Sequence, residues 1–478
     1  MTVNTQPITY DTLKIQNFPE LHLEKFIITN QVNKHAVLHF TGYVENDGSY
    51  ILTNTVVGSP VKVIYGGAAQ EKKTFFAGVI TNVRVYKQES NQTIEVTALA
   101  NTSLLDSVKE SRSYQNIHKT YEQIMDEVAG NMGALMTYGA DKEEFQNPIG
   151  TISIRYKETA WEYLCRLASH KHQGLFGDMS MEKPFFSVGA NMGEYDQLKV
   201  QAYEYHKDIR NYEVDYANYL PDVLETDYLV YEVETWQILG LGTRVSFGGK
   251  KLYIREARYE MKNAVIKATY LLCSANGLKQ HRICNGKLQG LSINGITAGV
   301  ERDKVKVQLE IDKEEQPQYL FPYSTMSASP DGSGWYCMPK EGDQLRVYFP
   351  DEEEENCFAI SSVSSYTPQP GDSTDRMSDP NVRYLRTPDN KEIKLTPEGI
   401  TISADDGQAV IMMDNAGNIT ISGAASVSMT AANDVNISAA HNISLYATES
   451  IKLSGQGGGI ELDSSGNTTL TGQYVLEN

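Results

Sequence analysis

Residues 418–457 read NITISGAA SVSMTAAN DVNISAAH NISLYATE SIKLSGQG, and every block of eight repeats the last. Apolar triplets begin at Ile419, Val427, Val435, Ile443, Ile451, Ile460 and Thr468, at spacings of 8, 8, 8, 8, 9 and 8. Two places after each start stands Ile421, Met429, Ile437, Leu445, Leu453, Leu462 or Leu470. Alternation of this kind is that of a strand with one face turned inward. Two further places on, Gly423, Ala431, Ala439, Ala447 and Gly455 are always small, and turn formers such as Asn418, Ser426, Asp434 and Asn442 precede the starts. The one extra residue falls in GQGGG (455–459), where glycine absorbs it.

Strands this short bury two side chains each and cannot form a globular core. Stacked, they bury a continuous seam, which is the logic of a β-helix. A single chain coiling alone would have few turns and open edges. Three chains wound together bury each inward residue against two partners and pair most edges. The expectation is therefore an intertwined triple-stranded β-helix over 392–478, begun by the less regular Ile393, Ile400 and Ile411. At ~4.7 Å per layer, about nine units make a rod of roughly 40 Å. A Ser/Asn/Ala low-complexity tail would not hold apolar residues at fixed positions.

Composition bounds the rest. The 478 residues hold 42 Lys plus Arg and 61 Asp plus Glu, a formal net charge of −19. That balance argues against nucleic acid as a partner. The N-terminus has no charged segment leading into an apolar core, and no stretch of about 18 apolar residues occurs, so synthesis in the cytoplasm without a signal peptide is expected. Cys165, Cys273, Cys284, Cys337 and Cys357 are odd in number and lack C-x-x-C spacing, which fits reduced, mostly buried thiols.

Upstream of the rod, residues 367–391 carry four prolines among polar residues and read as a linker too short for an inserted catalytic domain. Before it, 281–366 alternates KVKVQLEI, QLRVYFP and CFAISSV between Gly and Pro turns, a small all-β barrel. The residues Phe321-Pro322-Tyr323-Ser324-Thr325, Gly334-Trp335-Tyr336, Pro339, Gly342-Asp343, Val347, Phe349 and Ser361-Ser362-Val363 carry a specific resemblance. In this order they resemble the OB-fold barrel of the VgrG and phage baseplate hub-and-spike family. Residues 1–280 are consistent with that family's hub: strand-rich to about residue 105, then two helices, then strands again. The helices start at capping boxes, Thr120 with Gln123 and Thr159 with Glu162. In the second, Trp161, Leu164, Cys165 and Ala168 share a face. SRSYQN (111–116) and IRYKETAWEYLCRLASH (154–170) look like the family's segments at these helices.

No residue set reads as an active site. His170-Lys-His172 lacks a third ligand and reads as a solvated helix end; DEEEE (351–355) reads as a solvated loop between barrel strands. No nucleophile elbow, zinc-protease motif or phosphate loop occurs. No catalytic residue, cofactor or metal is expected. The resemblance implies a trimeric central spike of a contractile injection system, whether secretion system, phage-tail-like particle or phage. Its hub would sit under an inner tube among baseplate proteins, and its rod would lead the puncture of a target envelope. The chain ends TTLTGQYVLEN without a histidine-bearing tip, so a separate PAAR-type tip protein and separately carried effectors are implied. The alternative is a receptor- or carbohydrate-binding tail fibre, and a third reading is a murein hydrolase. A fibre calls for an aromatic patch on the rod, where only Tyr446 and Tyr474 occur after residue 400, and a hydrolase calls for an acid–base pair in a cleft.

Overall fold

The computed structural model describes residues 7–18, 21–44, 58–66, 72–88, 91–139, 141–313, 316–361, 367, 375 and 377–474. The chain divides into two compact units, Met1–Ser365 and Tyr366–Asn478. The protein is mainly β, as expected from its alternating runs.

The first unit is built on a twelve-stranded sheet. Its path runs Leu13–Ile15, Pro60–Tyr65, Lys73–Gln88, Asn91–Ala100, Val37–Val44, His22–Gln31, Lys250–Lys262, Val265–Cys273, Leu229–Thr235 and Ala202–Lys207. An early and a late group of strands are thus stitched together where His22–Gln31 pairs antiparallel with Lys250–Lys262. Alternate residues point inward: Phe26 and Ile28, Leu38 and Phe40, Ile94 and Val96, Ala268 and Tyr270 are all completely buried in one core.

Between the two groups sits a helical insert. Tyr121–Asn131 and Ala160–Ser169 begin at the expected boxes: Thr120 Oγ1 accepts Gln123 N at 3.2 Å, and Thr159 Oγ1 accepts Glu162 N at 3.1 Å. The second helix differs from expectation in one respect. It is buried on every side except at Glu162, so Arg166 as well as Trp161, Leu164, Cys165 and Ala168 lies inside. A further helix, Ile209–Asn218, capped by Asp208, was not foreseen, because its residues show no apolar stripe and only Asp215 is buried.

The barrel is a five-stranded antiparallel sheet in the order Leu320–Pro322, Lys304–Leu309, Ser292–Glu301, Gln344–Tyr348, Phe358–Ser361. It closes on itself through a parallel bridge between Tyr323 and Ala359, with Ser324 N donating to Ala359 O at 2.8 Å. Pro322 stands at the end of an edge strand, where its missing N–H costs no ladder bond. Ser362 and Val363 lie outside the described residues, as does nearly all of 362–376 within and before the stretch read as linker.

The second unit holds two antiparallel meanders. The first orders Arg383–Arg386, Glu392–Thr396, Gly399–Ala404, Ala409–Asp414 and Ile419–Gly423; the second orders Ser450–Gly455, Gly458–Asp463 and Thr468–Gly472. The strand Arg383–Arg386 falls inside the stretch read as linker. GQGGG is a hairpin turn, Gly455 opposing Gly458.

Candidate functional site

Two constructions in this protein ask for a functional account: the exposed sheet face of the second unit and the seam between the N-terminal sheets and the barrel. In the first meander the register aligns Leu385, Ile393, Ile402, Ile411 and Ile421 in one column across five strands. Leu395, Ile400, Met413 and Ile419 form a second column two residues away, on the same face. The terminal meander repeats the design with Ile451 opposite Leu462, and Leu453, Ile460 and Leu470 in line. These side chains stay largely exposed within one chain: Ile419 is 69% and Ile421 57% accessible. The first column lines an open apolar groove of about 510 Å³, together with Val427. Between the meanders, Val427, Met429, Val435, Ile437, Ile443 and Leu445 are likewise exposed, and residues 425–449 belong to no strand. Aliphatic rows of this length on one sheet face mark a surface made to be covered.

The seam joins parts that the sequence separated at residue 281. Ile152 and Ile154 of the hub are completely buried in the barrel's own core, beside Val305, Val307, Phe321 and Phe349. Over them lies a buried charge cluster. Arg166 forks onto Glu158, Nε to Oε1 at 2.9 Å and Nη2 to Oε2 at 2.8 Å, and its Nη1 reaches Glu354 Oε1 at 3.2 Å. Glu354 also accepts the Ile154 N–H, and Arg166 Nη2 donates to Ile154 O at 2.8 Å. Burial pushes the Glu354 carboxyl upward, against the pull of Arg166 and of the Ile154 amide. A second clasp lies nearby: Asp312 Oδ1 accepts Ser113 N at 2.7 Å, Asp312 Oδ2 accepts Ser113 Oγ at 2.5 Å, and Gln115 Nε2 donates to Val307 O at 3.0 Å. SRSYQN is therefore a hub-to-barrel clasp.

These contacts correct two expectations. The run 351–355 is not a uniformly solvated loop: Glu354 turns inward, Glu353 pairs with Arg282 at 2.6 Å, and Asp351 caps its own turn by accepting Glu353 N at 2.9 Å. Nor is the His170–His172 stretch a solvated helix end. His172 Nδ1 lies 3.0 Å from Gln280 O, and His170 packs against Tyr121, its ring nitrogen held neutral by burial and by Arg166 and Arg282, with a pKa lowered to about 3. Neither sequence run signalled this, because Gln280 lies 108 residues from His172 and Arg166 lies 188 from Glu354 (354 − 166) along the chain. Among the described residues, no group of three His, Cys, Asp or Glu is placed to hold a metal. Burial pushes the Cys273 and Cys357 thiols up to about 12, so neither is a ready nucleophile.

The barrel motif has a structural explanation residue by residue. Val347 and Phe349 are fully buried core. Gly342 takes φ +90° in a turn, donating to Thr297 O at 2.9 Å, and Asp343 accepts Lys340 N at 2.7 Å. Glycine and aspartate after Pro339 thus build one turn. Trp335 stays half exposed, its carbonyl accepting the Thr325 hydroxyl.

Residues 39–178 match the family described as phage tail baseplate hub (GPD). No curated protein matches the chain. Among solved structures, the Escherichia coli c3393 protein, a component of the type VI secretion system, aligns with TM-score 0.52 at 12% identity, over 73% of this chain and 98% of that one. A Francisella PdpA–VgrG complex, half-lidded, aligns with TM-score 0.55 at 11% identity, over 88% of each chain. Its lidded form aligns with TM-score 0.54 at 11% identity, over 88% of this chain and 81% of that one. By fold this chain is similar to these secretion-system and VgrG structures. The resemblance read from the barrel and hub residues holds at that level. The family match runs from the strand Val37–Val44 through the helix bearing Arg166 to the strand Leu175–Gly177. The seam cluster of Arg166 and Glu158 therefore lies within it.

Proposed function

We propose that the protein is the central spike subunit of a contractile injection system and acts as a homotrimer. Its hub caps the inner tube, and its rod leads through the target envelope. The observation that carries this is the pair of aliphatic columns on the rod sheet, continued by the same spacing through residue 470. A single chain leaves them in water, and three copies about one axis bury all of them. Three are favoured because successive triplets lie five residues apart without a hairpin turn in 424–449, so the chain bends at corners, and three corners close a prism. The residues 392–478 hold ten acidic and two basic side chains, which keeps the rod's outside soluble and away from anionic lipid.

The work is mechanical, not chemical: the protein has no hydrolytic role, and a separate PAAR-type protein forms the tip. The buried Glu158 and Glu354 are tied to Arg166 and are not aimed into a cleft. The test is direct. Light scattering of the whole protein gives three times the chain mass. Residues 1–365, which form one compact unit, co-purify with tube protein, and residues 383–478 do not. A monomer in solution, or a tube that binds only the rod fragment, refutes the proposal. Peptidoglycan release above background, abolished by one carboxylate substitution, refutes its non-enzymatic part.

A further inference from the structure

The twelve-stranded sheet ends on Ala202–Lys207, a strand paired on one side alone, with Leu229–Thr235. Asp208 N donates to Tyr228 O at 3.2 Å, which fixes the phase of that pairing. In an antiparallel ladder the bonded positions recur at every second residue. His206, Glu204 and Ala202 therefore bond to the neighbouring strand, and Tyr203, Tyr205 and Lys207 turn their N–H and C=O groups outward. Among the described residues these outward groups meet no backbone partner. All six residues of the strand are exposed, Tyr203 to 61% and Tyr205 to 66%. No proline interrupts this edge, and its one lysine is tied to Glu225 at 2.5 Å. An edge left open in this way is a template for another strand.

The two faces of the edge differ in chemistry. On one face, ring centres of Tyr203 and Phe247 lie 5.3 Å apart, Phe247 and Tyr231 5.8 Å, and Tyr231 and Tyr205 6.0 Å, a continuous aromatic plate. On the other face Glu204 stands directly opposite Glu232, and among the described residues neither is ion-paired. Like charges set opposite each other repel. Residues 202–228 hold seven acidic and two basic side chains, so the surroundings also favour a cation.

We propose that this edge takes up an extended segment of a partner protein in which lysine or arginine alternates with aliphatic residues, added as one more antiparallel strand. Residues opposite each other share a face. The aliphatic residues, opposite Tyr203 and Tyr205, offer their peptide groups to the edge and lay their side chains on the aromatic plate. The basic residues, opposite Glu204, relieve the carboxylate pair. A second copy of this chain fits less well, because its own acidic stretch would bring further carboxylates to the same place. The proposal concerns the first unit and does not rest on the trimeric reading of the rod.

Capped, fluorescently labelled peptides test it on the whole protein by anisotropy. A peptide of alternating lysine and valine is expected to bind about tenfold tighter than one of alternating glutamate and valine. N-methylation of its valine amides, which face the edge, should weaken it about tenfold, whereas N-methylation of its lysine amides, which face water, should leave it unchanged. These two peptides carry the same charge, so non-specific attraction to an acidic protein cannot separate them. Glu204→Lys with Glu232→Lys should reverse the preference between the lysine and glutamate peptides. If that variant does not fold, the methylated pair on the unaltered protein still decides. Equal affinity of the lysine and glutamate peptides, or of the two methylated forms, overturns the proposal. So does a self-association in light scattering that Tyr205→Pro abolishes, since a second copy then covers the edge.

Discussion

Arg166 ties the hub helix to the barrel by pairing with Glu354 as well as with Glu158. It is fully buried between two carboxylates, so removing it leaves Glu158 and Glu354 facing each other without a counter-ion. Arg166→Leu is expected to cost about 3–5 kcal/mol in urea unfolding. Arg282→Leu breaks the more exposed pair with Glu353 and is expected to cost under about 1 kcal/mol. Equal losses for the two would remove the seam's special standing. His170 sets a pH dependence. Its folded pKa is depressed from 6.5 to about 3, so the folded state resists the proton that the unfolded chain accepts. Its contribution is complete above pH 6.5 and is lost as pH falls from there toward about 3. Tm followed over that window should fall less steeply in His170→Gln than in the parent, and parallel curves would contradict the assignment.

At the scale of elements, one local motif is placed in two settings. Thr120 and Thr159 both close capping boxes, yet Thr159 is buried and its hydroxyl also donates to Asp106 Oδ1 at 2.5 Å. Thr120→Ala should cost about 1 kcal/mol, the ordinary price of a lost cap. Thr159→Ala should cost more, because this cap is itself buried and its second bond, to Asp106, is lost as well. Thermal melts of the two variants decide it, and the reverse order would show that the local cap dominates. The boxes were legible because capping is written in four consecutive residues. The helix Ile209–Asn218 was not, since its surface-facing residues carry no period to read.

For the whole molecule, symmetry multiplies each substitution by three. Ile443 is expected to face the shared seam. Ile443→Asp forfeits about 2 kcal/mol of burial in each copy and brings three carboxylates together near one axis, where they must protonate or force the layers apart. Ser444→Asp makes a comparable change on the outer face and should cost under about 0.5 kcal/mol. Light scattering and melting of both beside the parent should show the first losing the trimeric rod or melting far lower, and the second unchanged. Equal harmlessness would contradict the intertwined rod.

What the linear chain determined by itself is whatever has a short period or a short span. The eight-residue beat from Ile419 to Leu470, the glycine at 342 and the two capping boxes are local patterns, and local sterics and hydrogen bonding read them directly. The net charge of −19 likewise needed no coordinates. Tertiary structure alone decided the rest. Glu354 looked like one more acid in a solvated run until the fold set it against Arg166, 188 residues earlier by number (354 − 166), where desolvation made a partner obligatory. The same holds for His170, neutral because of what packs over it, and for Ile152 and Ile154, hub residues in the barrel's core. Burial and pairing across such separations are set by the whole packed unit, and no window of sequence contains them.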